Sequence, residues 1–505
     1  MIGELYMGNY QHPGIYVQEI AIAPNIEPVA ACLPLFIGHT EKSQDANGHP
    51  LPLGKRYSVS SLAEYEEHFG KGAPETLRVL LDGKGNIVNA HSYSPFYLYA
   101  AVHQYFANGG GQCEILSVGP YSRAPDASAL KAAIRALPLN AAFTLVAIPD
   151  AVSLAELPQL QRKLLQYCAQ QDYCLAILDV PYCNDQTREM TVNTFRHDIG
   201  QRGLQHGAAF MPWLETAAAG ISGYVDLEIK YTPGVATAWN DFHKATKLQS
   251  HLLHKQLEAS PAIRFNRMLP PSGSIMALFE ANARKRNIWT TPNHTPIKEI
   301  ISLSATIDNI IQESLNIHPT GKSINAIRRF DNALLMWGGH TLASNDSEWR
   351  YIAHLLTRGF VQASLRRFLD QQTFEKNDEA TWSLVGHQCQ DFLHTLWREG
   401  ALVGDKPEQA FYVRIGLNQT MSTQDIAAGR IIVHVGIALL RPAEFIILKL
   451  HKVISAPDLK PAITRPGKPV NRVKIRAKTS PINVVIRQRQ QPSPPSKPLP
   501  SEPVS

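Results

Sequence analysis

No stretch of this 505-residue chain approaches the roughly 18 to 20 consecutive apolar residues that a membrane-spanning helix requires. The opening MIGELYMGNYQHPG has neither the basic nor the apolar region of a secretory leader. Together these absences predict a chain made and kept in the cytosol, without membrane insertion, unless a larger particle carries it out. The six cysteines, Cys32, Cys113, Cys168, Cys174, Cys183 and Cys389, include no pair at the CxxC spacing of zinc sites and redox pairs. Reduced, mostly buried thiols are expected, and no metal is assigned. A glycine-rich phosphate loop is missing too. HPTGKS at residues 318–323 ends like one, but Asn316 stands where the loop needs its first glycine, so no nucleotide or other cofactor is expected.

What is present is ordinary globular composition, 44% apolar and 18% charged, in a chain long enough for two to four domains. The formal charge of +6 is unevenly placed. Residues 456–505 hold ten Lys or Arg against two acids, which leaves −2 for the other 455 residues. Eleven of those 50 tail residues are proline, which removes a backbone donor and fixes φ, so the segment reads as a mobile, solvated extension. Two short stretches could instead pair with a sheet edge: RVKIRAK at 472–478, with Arg472, Lys474, Arg476 and Lys478 on one side, and INVVI at 482–486.

Residues 143–215 alternate apolar runs (FTLVAIPD, CLAILDVP, GAAFMPWLE) with two amphipathic stretches near 154–170 and 185–200. Strand, helix, strand, helix, strand predicts a parallel α/β layer. Asp150 and Asp179 each end such a strand, where open α/β sheets place ligand-binding and catalytic groups. Their alternative role is to cap the following helices or terminate the strands. An α/β enzyme using the two carboxylates is therefore carried as a reading from another class, although no nucleophile accompanies them.

Further along, Asn345 to Glu348 has capping-box spacing, and Trp349, Ile352, Leu356, Phe360 and Ala363 recur at three and four residues. Arg358, Arg366 and Arg367 project from elsewhere on that predicted helix, as a solvated face or as a patch for an acidic partner. A second helix is expected over 381–398, stopped by Gly400, and then strands at AFYVRIGL, RIIVHVGIALL and EFIILKL. Near the N-terminus, Ile15, Tyr16, Val17, Gln18, Glu19 and Ile20 form a β-prone segment after His12-Pro13-Gly14. At the other end Arg441-Pro442 precedes residues 443–450, which include Glu444, Phe445, Ile446, Ile447 and Leu448. Both segments look like strands with unpaired edges, which either tuck into their own sheet or pair with another copy of the chain.

Several blocks, in order, resemble those of contractile tail sheath proteins. HPGIYVQEI resembles the PGVYVEE-type opening, and FIGHT follows at residues 36–40 at a similar distance. IGQRGLQHGAAFMPWL resembles the block ending YGAAYYPWL, and PPSGSIMALFEANARKRNIWTTPN resembles PPSGAVAGIYARTDATRGVWKAPAN. GKSINAIRRF with MWGGHTL resembles GKSINAIR followed by VWGARTL, and residues 344–450 resemble the conserved core of the family. The GKSINAIR wording is nearest to sheaths of extracellular contractile injection systems. The chain departs from the pattern at Gly339-His340, where the family usually has Ala-Arg, and in the long tail past Leu450.

The resemblance implies an α/β fold class: an α+β core domain built from both chain ends, with an inserted outer α/β domain and the Pro-rich basic tail. On this sequence the expected divisions are an arm over 1–22, an N-terminal part over 23–120, the outer domain over 121–330, the core with its terminal strand over 331–455, and the tail over 456–505. It implies a structural, non-enzymatic subunit that polymerises helically and contracts around an inner tube. Residues 15–20 and 444–448 would exchange strands between subunits, and Arg358, Arg366 and Arg367 are the candidates for tube contact. The implied partners are further copies of the chain, the inner tube, baseplate and terminal cap proteins and paralogous sheath subunits, with no nucleic acid. The +8 charge of the tail, rather than the resemblance, suggests docking through Arg472, Lys474, Arg476 and Lys478 to an acidic surface on the baseplate, tube or terminal cap. Assembly would be cytoplasmic, in a particle that can be released. A minor, baseplate- or cap-proximal paralogue is the alternative within the class.

Overall fold

The computed structural model describes residues 26–453 apart from 44–48, 218–223, 232–242, 245–251, 256–265, 372–375 and a few single or paired positions. The expected arm residues 15–20 and the tail segments 472–478 and 482–486 lie outside the described residues.

An eight-stranded sheet forms the largest layer. Its order is Ala333–Trp337, Ile324–Phe330, Gly207–Met211, Leu175–Asp179, Leu145–Ala147, Pro34–Thr40, Cys113–Pro120 and Tyr57–Val59. The six inner strands run parallel, and the two outer ones are antiparallel to their neighbours. The three runs read as parallel strands are adjacent here, joined through the helices Leu157–Cys168 and Arg188–Asp198. All seven residues of Pro34–Thr40 are buried, as expected for a central parallel strand covered on both faces. Because that strand sits between Leu145–Ala147 and Cys113–Pro120, the division expected at residue 120 falls inside one sheet.

A second, seven-stranded mixed sheet has the order His243–Lys244, Tyr224–Tyr231, Glu75–Leu81, Ile87–Tyr93, Asn266–Leu269, Leu214–Ala217 and Ser302–Leu303. Two helices, Leu98–Ala107 and Ser272–Lys285, pack together so closely that a Cβ on Gly273 would lie 2.3 Å from the Ala101 carbonyl oxygen. Only glycine fits that crossing.

The C-terminal part is a three-stranded antiparallel meander, Phe411–Ile415, Arg430–Ile437 and Ile446–Val453, covered on one face by the helices Ile352–Gln371 and Glu379–Arg398. Ile431, Val433, Val435, Ile437, Leu448 and Leu450 on the sheet are buried in one cluster with Val385, Phe392, Leu393 and Leu396. Each such side chain contributes roughly 1.5–3 kcal/mol of burial. The second helix starts at the Asp378 cap, which accepts from Thr381 N, and ends before Gly400 at φ 81°.

The capping box expected at residues 345–348 does not form. Asn345 donates instead to the Pro319 carbonyl (3.3 Å), and Asp346 takes the Glu348 N–H (2.9 Å). These turns delay the helix to Ile352. Ile352, Leu356 and Phe360 form its buried stripe, while Trp349 packs against the core from the turn before it. The first described residues run beside this helix: Val29 N donates to Ser364 Oγ at 3.1 Å, and Glu27 pairs with Arg367.

Candidate assembly surfaces

The C-terminal strand begins three residues later than the sequence pattern suggests, because Ala443 takes a positive φ of 61° and its N–H bonds the Gln409 carbonyl. Glu444 pairs with Arg441 (3.3 Å), and the Phe445 ring meets Tyr412 edge-on at 5.0 Å. Ile446, Ile447 and Leu448 then pair with Ile437, Gly436 and Val435 of their own chain, and pairing continues to Val453 opposite Arg430. One edge of this strand is thus used within the subunit. Among the described residues no strand pairs with its other edge, nor with the outer edge of Phe411–Ile415. Ile447 and Val453 are half-exposed or more. Two unpaired edges on a sheet carrying apolar side chains can accept strands from another chain.

The three arginines are each engaged within the chain. Arg358 lies over the Trp349 ring at 4.3 Å and 3.6 Å from Glu348, and burial lowers its pKa. Arg366 pairs with Asp172, and Arg367 with Glu27 at 3.4 Å. Arg367 keeps half of its side chain exposed, whereas Arg358 is mostly covered.

Asp150 and Asp179 do cap helices, but not the ones that follow them. Asp150 is fully buried; its Oδ1 accepts from the Tyr97 and Leu98 N–H groups (2.7 and 2.9 Å), and its Oδ2 from His39 N and Nδ1 (2.7 and 3.0 Å). It therefore closes the start of Leu98–Ala107. Asp179 Oδ1 accepts from Ser272 N at 2.8 Å, at the start of Ser272–Lys285, and burial pushes its carboxyl up to about 7. The two carboxylates hold the N-termini of the same two helices that cross at Gly273. A cleft of about 460 Å³ opens nearby, lined by Arg78, Tyr97, Tyr182, Trp213, Arg267 and Met268 but by neither aspartate.

The GKS triplet is not a phosphate cradle either. Lys322 is buried and donates to the Arg196 carbonyl, while Arg196 Nε donates back to the Lys322 carbonyl at 3.0 Å. Arg196 also caps the Asn309–Asn316 helix through the Ser314 and Leu315 carbonyls. The cysteines are all free, and Cys168 and Cys174 lie 3.2 Å apart, sulfur to sulfur, in the core. That contact, across five intervening residues, has no signature in the spacing. Gly339, one of the two departures from the sheath pattern, has a local cause: a Cβ there would lie 2.7 Å from Thr291 Cγ2.

The sheet whose two outer edges are open among the described residues is backed by a helical pair, and nearly all the residues that build it fall within a known domain. Residues 344–451 match the family model of the phage tail sheath C-terminal domain. Over most of its length the chain resembles chains in solved contractile injection machines. A chain of the anti-feeding prophage (AFP) baseplate in its contracted state is 23% identical, with 91% of this chain and 100% of that one covered at a TM-score of 0.59. A chain of the PVC sheath complex in its contracted state, from an extracellular contractile injection system, is 22% identical over 87% and 97% of the two chains at 0.56. The contracted AFP helical sheath gives 23%, 87%, 98% and 0.55. No curated protein matches in sequence. Residues 344–451 thus match a phage tail sheath C-terminal domain, and the chain shares the mixed α/β fold of the contractile injection system chains it resembles.

Proposed function

We propose that this chain is a structural subunit of a contractile sheath, which polymerises helically around an inner tube and shortens to drive that tube through a target envelope. The observation that carries this reading is the three-stranded sheet of the sheath C-terminal domain, whose two outer edges are open among the described residues. Strands added to those edges supply directional main-chain bonds, which can persist while the subunits rotate as rigid bodies. Residues 15–20 are the incoming strand, and residues 444–448 lead into and form the start of an edge that receives or exchanges it. In this reading the extended sheath is held by contacts to the tube, baseplate and cap, and contraction releases it into tighter packing. Residues 331–455 then form the tube-facing core and residues 121–330 the outer part. Arg366 and Arg367 offer charge toward the tube beyond what their own partners use, and Arg358 supports the helix that carries them. Assembly takes place in the cytoplasm, within a particle that is then released.

Negative-stain electron microscopy of the chain expressed alone and pelleted by ultracentrifugation tests this. Hollow, ridged tubes are the expected result; a soluble monomer that also fails to coat a co-expressed inner tube would overturn the proposal.

A second reading, a minor subunit that fits the lattice to the baseplate, is favoured by the likeness to a chain of the AFP baseplate and by the basic tail. It predicts labelling at one end of purified particles rather than along their length.

A further inference from the structure

The outward face of the C-terminal sheet carries a row of bases with no acidic partner among the described residues. Arg414, His434 and Lys449 are register partners across the three strands, and His451 follows two residues along the edge. Arg414, Lys449 and His451 are exposed. Like charges directly opposite one another destabilise a sheet. Burial, Lys449, His451 and Arg414 together lower the pKa of His434. Among the described residues no carboxylate pairs with any of the four. Asp425, on the helix Thr423–Ala427 beside the sheet, is used by Arg430 and Ser422, and Glu444 by Arg441. Among the described residues Arg414 has only the Tyr412 ring, at 5.1 Å.

The chain contains a segment of opposite character. Its first 41 residues hold Glu4, Glu19, Glu27 and Glu41 and no Lys or Arg. Within the β-prone stretch the single charge is Glu19, on the same side of an extended strand as Ile15 and Val17. We infer that the row Arg414, His434 and Lys449 is a charge lock for the N-terminal segment of a second copy, which adds along the Ile446–Val453 edge with Glu19 beside Lys449. The inference rests on the strand-addition reading above and supplies what that reading lacks, a reason why these edges take one strand and refuse others. Lys449 repels a basic strand and guards the bare edge against indiscriminate pairing. A strand with a carboxylate in register relieves the repulsion within the row.

The test uses the full chain and a fluorescent synthetic peptide of residues 10–25, followed by anisotropy. At low salt the native peptide binds, and the Glu19→Lys peptide binds more weakly by about three- to tenfold, as a lost and reversed surface ion pair would give. Against a Lys449→Glu chain the order of the two peptides inverts, and at about 0.5 M salt the difference shrinks in both cases. Lys449 is exposed and faces the half-buried His434, whose unfavourable neighbour it removes when replaced, so the variant folds as the parent does, which a thermal melt checks. Equal binding of both peptides would overturn the charge lock while leaving strand addition standing. Absence of binding by either peptide would overturn the lock together with the assembly reading beneath it.

Discussion

Asp179 and Ser272 are 93 residues apart in sequence, yet the carboxylate of the first receives the backbone N–H of the second at 2.8 Å and closes the start of a buried helix. The Asp179 carboxyl, buried and raised to about 7 from an ordinary 3.8, favours its protonated form in the fold. A raised carboxyl contributes stability on the acid side, and that contribution is lost as pH climbs from about 4 through 7.

Asp179→Asn should therefore stay within about 1 kcal/mol of the parent near pH 4, where the carboxyl is uncharged and an amide keeps the accepting oxygen, and should become the more stable of the two as the pH rises through 7. Asp179→Ala should cost about 1–3 kcal/mol by leaving the Ser272 N–H unsatisfied. Denaturant titrations at pH 5, 6.5 and 8 check both. The parent should lose ground to the Asn variant as pH rises, and a pH-independent difference between the two would refute the assignment.

Gly273→Ala should destabilise the chain by about 1–3 kcal/mol, because the added methyl meets the Ala101 backbone rather than a side chain that could move aside. The same substitution at Gly109, where nothing lies within 4 Å but φ is +83°, separates backbone strain from the clash. Unfolding midpoints measured side by side decide the matter: the Gly273 variant must fall below the Gly109 one.

Removal of residues 1–20 should abolish tube formation while leaving a folded monomer, since every buried element described begins at Ile26 or later. Sedimentation velocity and circular dichroism distinguish the expected soluble, folded monomer from an unfolded product. Tubes built by the truncated chain would refute the strand-exchange role of residues 15–20.

Removal of residues 456–505 should weaken attachment to the particle's acidic surfaces in a salt-sensitive way, because that segment carries +8. Co-sedimentation with baseplate, tube and cap components across a salt series checks it. Assembly and contraction unchanged at every salt concentration would remove the docking role from Arg472, Lys474, Arg476 and Lys478.

Periodicity disclosed the elements whose partners are near in sequence. The strands Leu145–Ala147, Leu175–Asp179 and Gly207–Met211, the helix ending before Gly400 and the first two strands of the final meander stand where apolar spacing put them, while the last strand starts three residues later. It missed what depends on distant neighbours. The Asp150 and Asp179 carboxylates serve helices 52 and 93 residues away, and no local pattern can announce such a cap. Asn345 had the spacing of a capping residue, but its side chain was drawn instead to the Pro319 carbonyl. Of the candidate assembly surface, the apolar alternation of the last strands was legible, whereas the alignment of Arg414, His434 and Lys449 depends on register, which two turns set.

The C-terminal sheet is assembled from residues 411–453 alone, whereas the eight-stranded sheet must wait for residues as far apart as 34 and 337. On a ribosome the open edges are thus the last part of this sheet system to emerge, after the long-range pairings have had their chance to form. The order of synthesis itself keeps these edges out of reach of a half-folded chain.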